Sequence, residues 1–272
     1  MATLEFKVNP KINLRHPDVM AAVQAQVETH YRSQLVDRIR AKGHVLSADG
    51  LTIKLAKEFG FCYGVERAID LAYAACRVFA DQPIYILGEI IHNPEVNDQL
   101  RGMGVKFLSG REKDADLEDL KQDDLVIIPA FGADLATMDK LQARGCRFVD
   151  TTCGDVMSVW KRVRHYAGSS FTSIIHGKAW HEETQATSSR ASVHGQGHYL
   201  VVFTLEETDY VCDYIARGGD KTAFLQKFTG AHSVGFDPDL HLQALGVANQ
   251  TTMLRGETEE VQLRLRAAMT RK

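Results

Sequence analysis

Two of the five cysteines in this chain stand in settings that suit chemistry rather than packing. Cys62 lies in FGFCYGVERA and Cys153 in VDTTCGDV, each just ahead of a helix-like run with a glycine close behind. A helix N-terminus offers free backbone N–H groups and the positive end of the dipole, which favour a thiolate. A thiolate on a stiff, glycine-flanked turn suits a metal or an electrophile. Cys76 instead shares a helical face with Val65, Ile69, Ala72 and Phe79, Cys146 opens a strand and Cys212 sits mid-helix. Those three read as core residues, the usual role of a free cysteine.

The second group is imidazole, carboxyl and hydroxyl. His92 in GEIIHNPEV closes a strand before a helix capped by Asn93 with Pro94 at its first position. His176 and His181 bracket GKAW in SIIHGKAWHEETQAT. A helix N-terminus flanked by imidazoles, Lys178 and hydroxyls could hold an anion such as a diphosphate; a solvated loop with a capping role is the bland alternative, and the residues alone leave both open. Glu182 and Glu183 follow directly, and a carboxyl beside such a pocket can have its pKa raised, as a general acid requires. Thr251 and Thr252 in ANQTTML add hydroxyls at another strand end, a weak signal alone. His165, His194, His198, His232 and His241, in polar or turn-rich surroundings, read as surface residues.

These residues share a position. Short apolar runs alternate with helical ones: LTIKLA (51–56), IYIL (84–87), LVIIPA (125–130), RFVD (147–150), TSIIHG (172–177), YLVVF (199–203) and LGVANQ (245–250). Apolar strands separated by helices predict an α/β protein with parallel sheets covered on both faces. Cys62, His92, Phe131-Gly132, Cys153 and the His176–Glu183 segment each follow a predicted strand, where ligands of open α/β sheets bind. Ahead of the strands, Val23, Val27, Tyr31, Leu35 and Ile39 recur every four residues and predict one amphipathic helix from Asp18 to Ala41. Strand counting divides the chain into an N-terminal helical extension (1–50), a first α/β domain (51–148) and a second (149–272).

Composition excludes several classes. A net charge of −3 leaves no basic footprint for nucleic acid. No apolar run approaches the roughly 20 residues of a membrane span, and the first twenty residues lack the apolar core of a secretory leader, so the expected location is cytoplasmic. An odd, scattered set of five cysteines is no disulfide framework.

Taken in order and spacing, FGFCYGVERA, GEIIHNPEVNDQL, VIIPAFGA, VDTTCGDV, SIIHGKAWHEETQAT and ANQTTMLRGETEE resemble the 4-hydroxy-3-methylbut-2-enyl diphosphate reductase (LytB) family, from about residue 50 to 270. The Phe of PAFGA, the HGKAWHEET form and the N-terminal extension are similar to its plant and cyanobacterial branch. The resemblance implies a trefoil of three small parallel-sheet α/β domains around a [4Fe–4S] cluster. It also implies reductive removal of the C4 hydroxyl of an allylic diphosphate, giving isopentenyl and dimethylallyl diphosphates in the last step of the non-mevalonate isoprenoid pathway. Electrons would come from a ferredoxin or flavodoxin type donor. Carried over by motif, Cys62 and Cys153 are cluster ligands and His92 and His181 bind the diphosphate. Glu183 delivers the proton, and Thr251, with Thr252, lines the substrate and relays it. Thiolates hold such clusters, and a leaving hydroxide needs an acid nearby.

The sequence departs from that pattern at three places. The family's third cysteine belongs to a third domain beyond ANQTTML, whereas this sequence stops at Lys272. The expectation is therefore two of the three domains, a truncated chain, and no complete three-cysteine site from this polypeptide alone. Gly154 stands where proline is usual, and Phe131 where other branches carry a histidine. Two further readings stay in play: a diphosphate-binding fragment without a cluster, and a cluster-free enzyme with Cys62 or Cys153 as nucleophile and His181 as base.

Overall fold

The computed structural model describes residues 14–111, 113–192 and 197–271. The first thirteen residues of the extension and His194, expected at the surface, lie outside the described residues.

The predicted single helix of the extension is two. α1 (Pro17–Tyr31) ends where Arg32 turns extended, and Ser33 caps α2 (Gln34–Ala41) by accepting a hydrogen bond from the Val36 N–H. A serine that can serve the backbone as a cap breaks a helix that the apolar periodicity alone would have continued. α1 does pack along the body. Val23 is fully buried, and His30 and Tyr31 share hydrogen bonds of 2.8 and 3.0 Å with the buried Tyr73 hydroxyl.

LTIK also departs from expectation. β1 (Val45–Ala48) and β2 (Leu51–Lys54) form an antiparallel hairpin that joins neither parallel sheet. Asp49-Gly50 closes it, both with positive φ, which is the two-residue turn such dipeptides favour. Its side chains are mostly exposed, so the alternation in LTIK reflects pairing with β1 and not a buried face.

From there the chain alternates as expected. α3 (Tyr63–Val78), β3 (Ile84–Ile86), α4 (Pro94–Gly102), β4 (Val105–Phe107), β5 (Leu125–Ile128), α5 (Leu135–Ala143) and β6 (Arg147–Asp150) make the first unit. Its parallel sheet has the order β4-β3-β5-β6. β4 is only three residues long and was not predicted. Successive strand residues point to opposite faces: Ile86, Phe107, Leu125 and Ile127 pack with α3, while Tyr85, Val126 and Ile128 meet Leu120 and Leu141 on the other side. Both faces are covered, as a parallel sheet requires.

α6 (Gly154–Gly168) leads to β7 (Thr172–His176), α7 (Glu182–Ala191), β8 (Tyr199–Val202), α8 (Leu205–Arg217), α9 (Lys221–Lys227), α10 (Pro238–His241), β9 (Leu245–Asn249) and α11 (Arg255–Arg271). The second parallel sheet has the order β8-β7-β9. Ile174, Leu200 and Val202 face Val211, Phe224, Val261 and Leu265, while Val163, Ala191 and Ala248 form the opposite layer. Among the described residues no helix is long and apolar enough to cross a membrane.

Candidate functional site

Cys62 and Cys153 are the N-cap residues of α3 and α6, and neither side chain spends itself on capping. Cys62 is exposed and Cys153 half-buried. The two converge on Gly64. A methyl group added there would lie 2.5 Å from the Cys153 Sγ and 4.0 Å from the Cys62 Sγ, so the sulfurs are no farther apart than the sum of those distances. The missing Cβ of Gly64 is what admits the second thiol. Gly60, with φ of 112°, gives the turn before Cys62 a backbone conformation that side chains resist.

Neighbouring residues fix this convergence. Arg67, one turn into α3, donates to the carbonyls of Thr151 and Thr152 at 3.2 and 3.0 Å, so the helix behind Cys62 holds the loop before Cys153. The Cys153 N–H donates to the Ala130 carbonyl at 2.9 Å. A Cβ at Gly154 would stand 2.6 Å from the hydroxyl of the exposed Tyr63, a side chain with room to move aside. Cys76 and Cys146 are buried, and burial pushes the Cys76 thiol up to about 12 and raises that of Cys146. Cys212, in α8, is pushed up to about 11 by burial and then by Asp209. None of the three joins Cys62 and Cys153.

The imidazoles of His92 and His181 meet at Phe131. Phe131, next after Ala130, stacks on His92 with ring centroids 4.4 Å apart, and His181 stands edge-on to both rings. Asn97, fully buried, accepts from the Ile90 N–H and donates to the Ile91 carbonyl, pinning the loop that carries His92. His181 caps α7 by accepting from the Glu183 N–H at 3.1 Å. A backbone N–H can only donate, so Nδ1 of the neutral His181 ring is the acceptor and Nε2 carries the hydrogen. That hydrogen faces Nε2 of His92 at 3.2 Å, which accepts it, and Nδ1 of His92 donates to Glu89 at 2.8 Å. Burial lowers the His181 pKa and keeps the ring neutral, against the pull of Glu182.

Nitrogens of His92 and His181 and a Glu182 carboxylate oxygen lie within 4.8 Å of one another, a spacing that a metal could bridge. The proton order argues otherwise. A ring nitrogen that carries hydrogen donates to an anion and does not ligate a cation. The same order leaves His181 without a free lone pair for a thiol proton, which removes the basis for a cluster-free cysteine nucleophile.

Glu183 is buried in α7, and its carboxylate is gripped from the loop after β9. Oε1 accepts from the Thr251 N–H at 2.5 Å and Oε2 from the Thr251 hydroxyl at 2.9 Å. Burial raises the Glu183 pKa, and these two bonds work against the rise. Thr251 itself is exposed. Thr252 accepts from the Gln250 side-chain amide at 2.7 Å, and the Gln250 carbonyl oxygen accepts from Lys178 N–H and the Thr184 hydroxyl, both at 3.1 Å. Gly177 leaves room for this amide, since a Cβ would stand 2.9 Å from Gln250 and Thr184.

His176 does not belong to the site. It is buried, bonds the Thr258 hydroxyl at 2.8 Å, and burial lowers its pKa; only His181 of the pair bracketing GKAW faces the pocket. Of the histidines read as surface, His165 is exposed, but His198 and His241 are partly buried and stack on each other with centroids 3.6 Å apart. Arg67 and Gln250 escaped the sequence reading because each acts through contacts distant in sequence, and Glu89 and Asn97 because their roles lie in local loop geometry that no residue pattern marks. Gln250 alone had a signal, as the amide of ANQTTML.

Fold and site thus define an α/β protein whose thiols, imidazoles and buried carboxyl gather where strands give way to helices. The profile of the LytB protein family matches residues 53–271, and the chain belongs to that family. The 4-hydroxy-3-methylbut-2-enyl diphosphate reductase of Gloeobacter violaceus is 51% identical over 245 residues, covering 89% of this chain and 58% of that protein. The protein of the same name from Thermosynechococcus vestitus is 51% identical over 239 residues, covering 88% and 58%. The chain therefore spans 58% of the length of these curated relatives. Among solved structures, the E-1-hydroxy-2-methyl-but-2-enyl-4-diphosphate reductase from Plasmodium falciparum superimposes with a TM-score of 0.59 at 22% identity, covering 79% of this chain and 56% of that one. At that identity the likeness speaks for the fold.

Proposed function

We propose that this chain carries the substrate pocket and two cluster ligands of a 4-hydroxy-3-methylbut-2-enyl diphosphate reductase. The convergence of two uncapped thiols on Gly64 carries the reading. It supplies the soft donors that an iron–sulfur cluster takes, in a cradle that a single Cβ would fill. Cys62 and Cys153 would hold two of the irons of a [4Fe–4S] cluster. When bound, the cluster would supply electrons, drawn from a ferredoxin or flavodoxin type donor, and Lewis acidity toward the substrate hydroxyl.

This chain's own residues do the rest. His181 Nε2–H donates to the diphosphate beside His92. Glu183 holds the proton that leaves with the hydroxyl as water. In the ionised state the Thr251 hydroxyl donates to Glu183 Oε2; once Oε2 is protonated it donates to Thr251 instead. The threonine hydrogen is then free to point outward, toward the departing oxygen. Substrate takes up two electrons and two protons, loses water and becomes an isopentenyl or dimethylallyl diphosphate. Thr252, oriented by Gln250, lines the same wall. The proposed setting is the cytoplasm, where a reducing medium keeps cysteines free.

One observation favours a second reading. The described residues bring two thiols together, while His92, His181 and Glu183 already form a hydrogen-bonded pocket, so the chain would bind diphosphate without a cluster. Anaerobic reconstitution with iron and sulfide, followed by turnover of the allylic diphosphate with a ferredoxin-type reductant, separates the two. Iron bound above background together with diphosphate binding supports the reductase reading, and formation of both products would in addition overturn the expectation of an incomplete three-cysteine site. Diphosphate binding without iron above background supports the second reading and overturns the first.

A further inference from the structure

The hydrogen-bond order at the imidazole pair is complete without a ligand, and it does not suit one. His181 donates through Nε2 and His92 accepts through Nε2, so only one of the two facing nitrogens carries hydrogen. A diphosphate seated there presents acceptors only, and to be held by both rings it needs a hydrogen on each Nε2. For His92 there are two ways to gain it. The ring can move its proton from Nδ1 to Nε2, which turns an Nδ1 lone pair toward the Glu89 carboxylate 2.8 Å away. Or it can take a second proton and keep donating to Glu89.

We infer that Glu89 is a positioning residue that lets His92 take up one proton from solvent when a diphosphate binds between His92 and His181. This rests on the reading of that pair as the diphosphate-binding site. The arrangement favours the second route because the imidazolium then lies between two anions, Glu89 on Nδ1 and the ligand on Nε2. Each hydrogen bond is charge-assisted. Phe131, stacked on the ring at 4.4 Å, covers one face and holds the plane in which both nitrogens point at their partners.

The other charged groups around His92 have different geometry. Glu182 approaches Nε2 at 3.7 Å, on the side the ligand would occupy, and is exposed. It is the group that the diphosphate displaces. Asp134 lines the cavity of about 170 Å³ behind His92 with Glu89 and Glu182, but its carboxylate is spent on capping α5 through the Thr137 N–H and hydroxyl. Lys178 acts on His181. That leaves Glu89 as the carboxylate bonded to the ring nitrogen away from the ligand.

Proton uptake makes affinity fall by about tenfold per pH unit where the free His92 is neutral and the bound form charged. Titration calorimetry of the whole chain with inorganic diphosphate, in buffers of different ionisation enthalpy at about pH 7.5, counts the protons directly. The expected count is close to one beyond what the diphosphate itself exchanges, measured in parallel with His92→Ala. Glu89→Gln keeps an acceptor for Nδ1–H but loses the charge. It should bind about tenfold more weakly at that pH, with the count falling toward zero, and should approach wild type as the pH drops. Glu89→Asp should restore part of the count. A wild-type count no greater than that of His92→Ala, or a full count in Glu89→Gln, overturns the inference. Undiminished binding in both His92→Ala and His181→Ala overturns instead the reading of the site.

Discussion

The two parallel sheets are built on one plan and used differently. In each, the first strand becomes central (β3, β7), the second lies on one side (β4, β8) and the third on the other (β5, β9). The first sheet adds a fourth strand, β6, whose end carries Cys153; in the described second sheet β9 is an edge. The chemistry divides by the kind of group. Cys62 and Cys153, one from each unit, carry side chains with no hydrogen bond among the described residues, while the second unit also contributes a buried carboxylate and an amide whose hydrogen bonds are filled. Thiols without such bonds can be changed at little cost to the fold, whereas the polar groups of the second unit bind the site and the fold together.

The largest expected effect breaks that comparison outright if it fails. Cys62→Ser and Cys153→Ser should each reduce iron retained after anaerobic reconstitution to background, by metal analysis, because hydroxyls are poor ligands for such clusters. Cys62→Ser should leave the urea midpoint nearly unchanged, the usual result for an exposed substitution outside the core, while Cys153→Ser, packed against Val156, Trp160 and Ala186, should lower it slightly. Next comes His181→Ala, which removes both a donor to the diphosphate and the cap of α7. Losing a charged hydrogen bond corresponds to about 1.5–3 kcal/mol of binding, a drop of at least tenfold in affinity for inorganic diphosphate. The lost cap should also cost about 1 kcal/mol of stability. A mutation among the second unit's polar groups thus registers in both measurements, unlike Cys62→Ser.

A pair of glycines sharpens the contrast. Gly64→Ala meets the Cys153 thiol at 2.5 Å, and a thiol can rotate away. Stability should hold, helped by alanine's helix propensity, while retained iron falls severalfold. Gly246→Ala in β9 meets three atoms of the Tyr166 ring at 2.5–2.6 Å, and Tyr166 is anchored by donating to the Val247 carbonyl. It should cost about 1–3 kcal/mol by denaturation and leave iron retention unchanged.

Much of this was legible in the residues. Six of the seven predicted strands lie in the parallel sheets because their runs are apolar on both faces, and Asn93 and Asp134 cap the helices that follow, accepting from Val96 and Thr137 N–H groups. The misses were local or long-range. The Asp49-Gly50 turn, which pairs LTIK with the residues before it, outweighed a match to the strand template. Ser33 divided a periodic helix. β4 gains its place from Ile84 and its neighbours, not from three residues of its own. In the site, motif residues were visible by type, yet their proton order was not. It depends on local turns that aim the Glu183 N–H and the Glu89 carboxylate, two and three residues away, at the rings, and on the fold that brings His92 and His181 together.

The smallest effect tests whether the buried carboxylate of the second unit costs the fold anything. Burial raises the pKa of Glu183 from its ordinary 4.5. A raised folded-state pKa means that the folded chain holds this proton more tightly than the unfolded chain. Its contribution is then most favourable below pH 4.5 and declines as pH rises through the window up to the folded value. The substitution Glu183→Gln would preserve both contacts with a neutral side chain: the carboxamide oxygen accepts from the Thr251 N–H, and the carboxamide nitrogen donates to the Thr251 hydroxyl, which reverses. Glu183→Gln should therefore match or exceed wild type in thermal stability at neutral pH, and the two should converge as pH falls toward 4.5. A variant less stable than wild type at neutral pH, with the gap closing in acid, would mean that the ionised carboxylate holds α7 to the loop after β9. The second unit's polar contacts would then stabilise the fold as ion–dipole bonds, rather than cost it stability in order to keep a proton available.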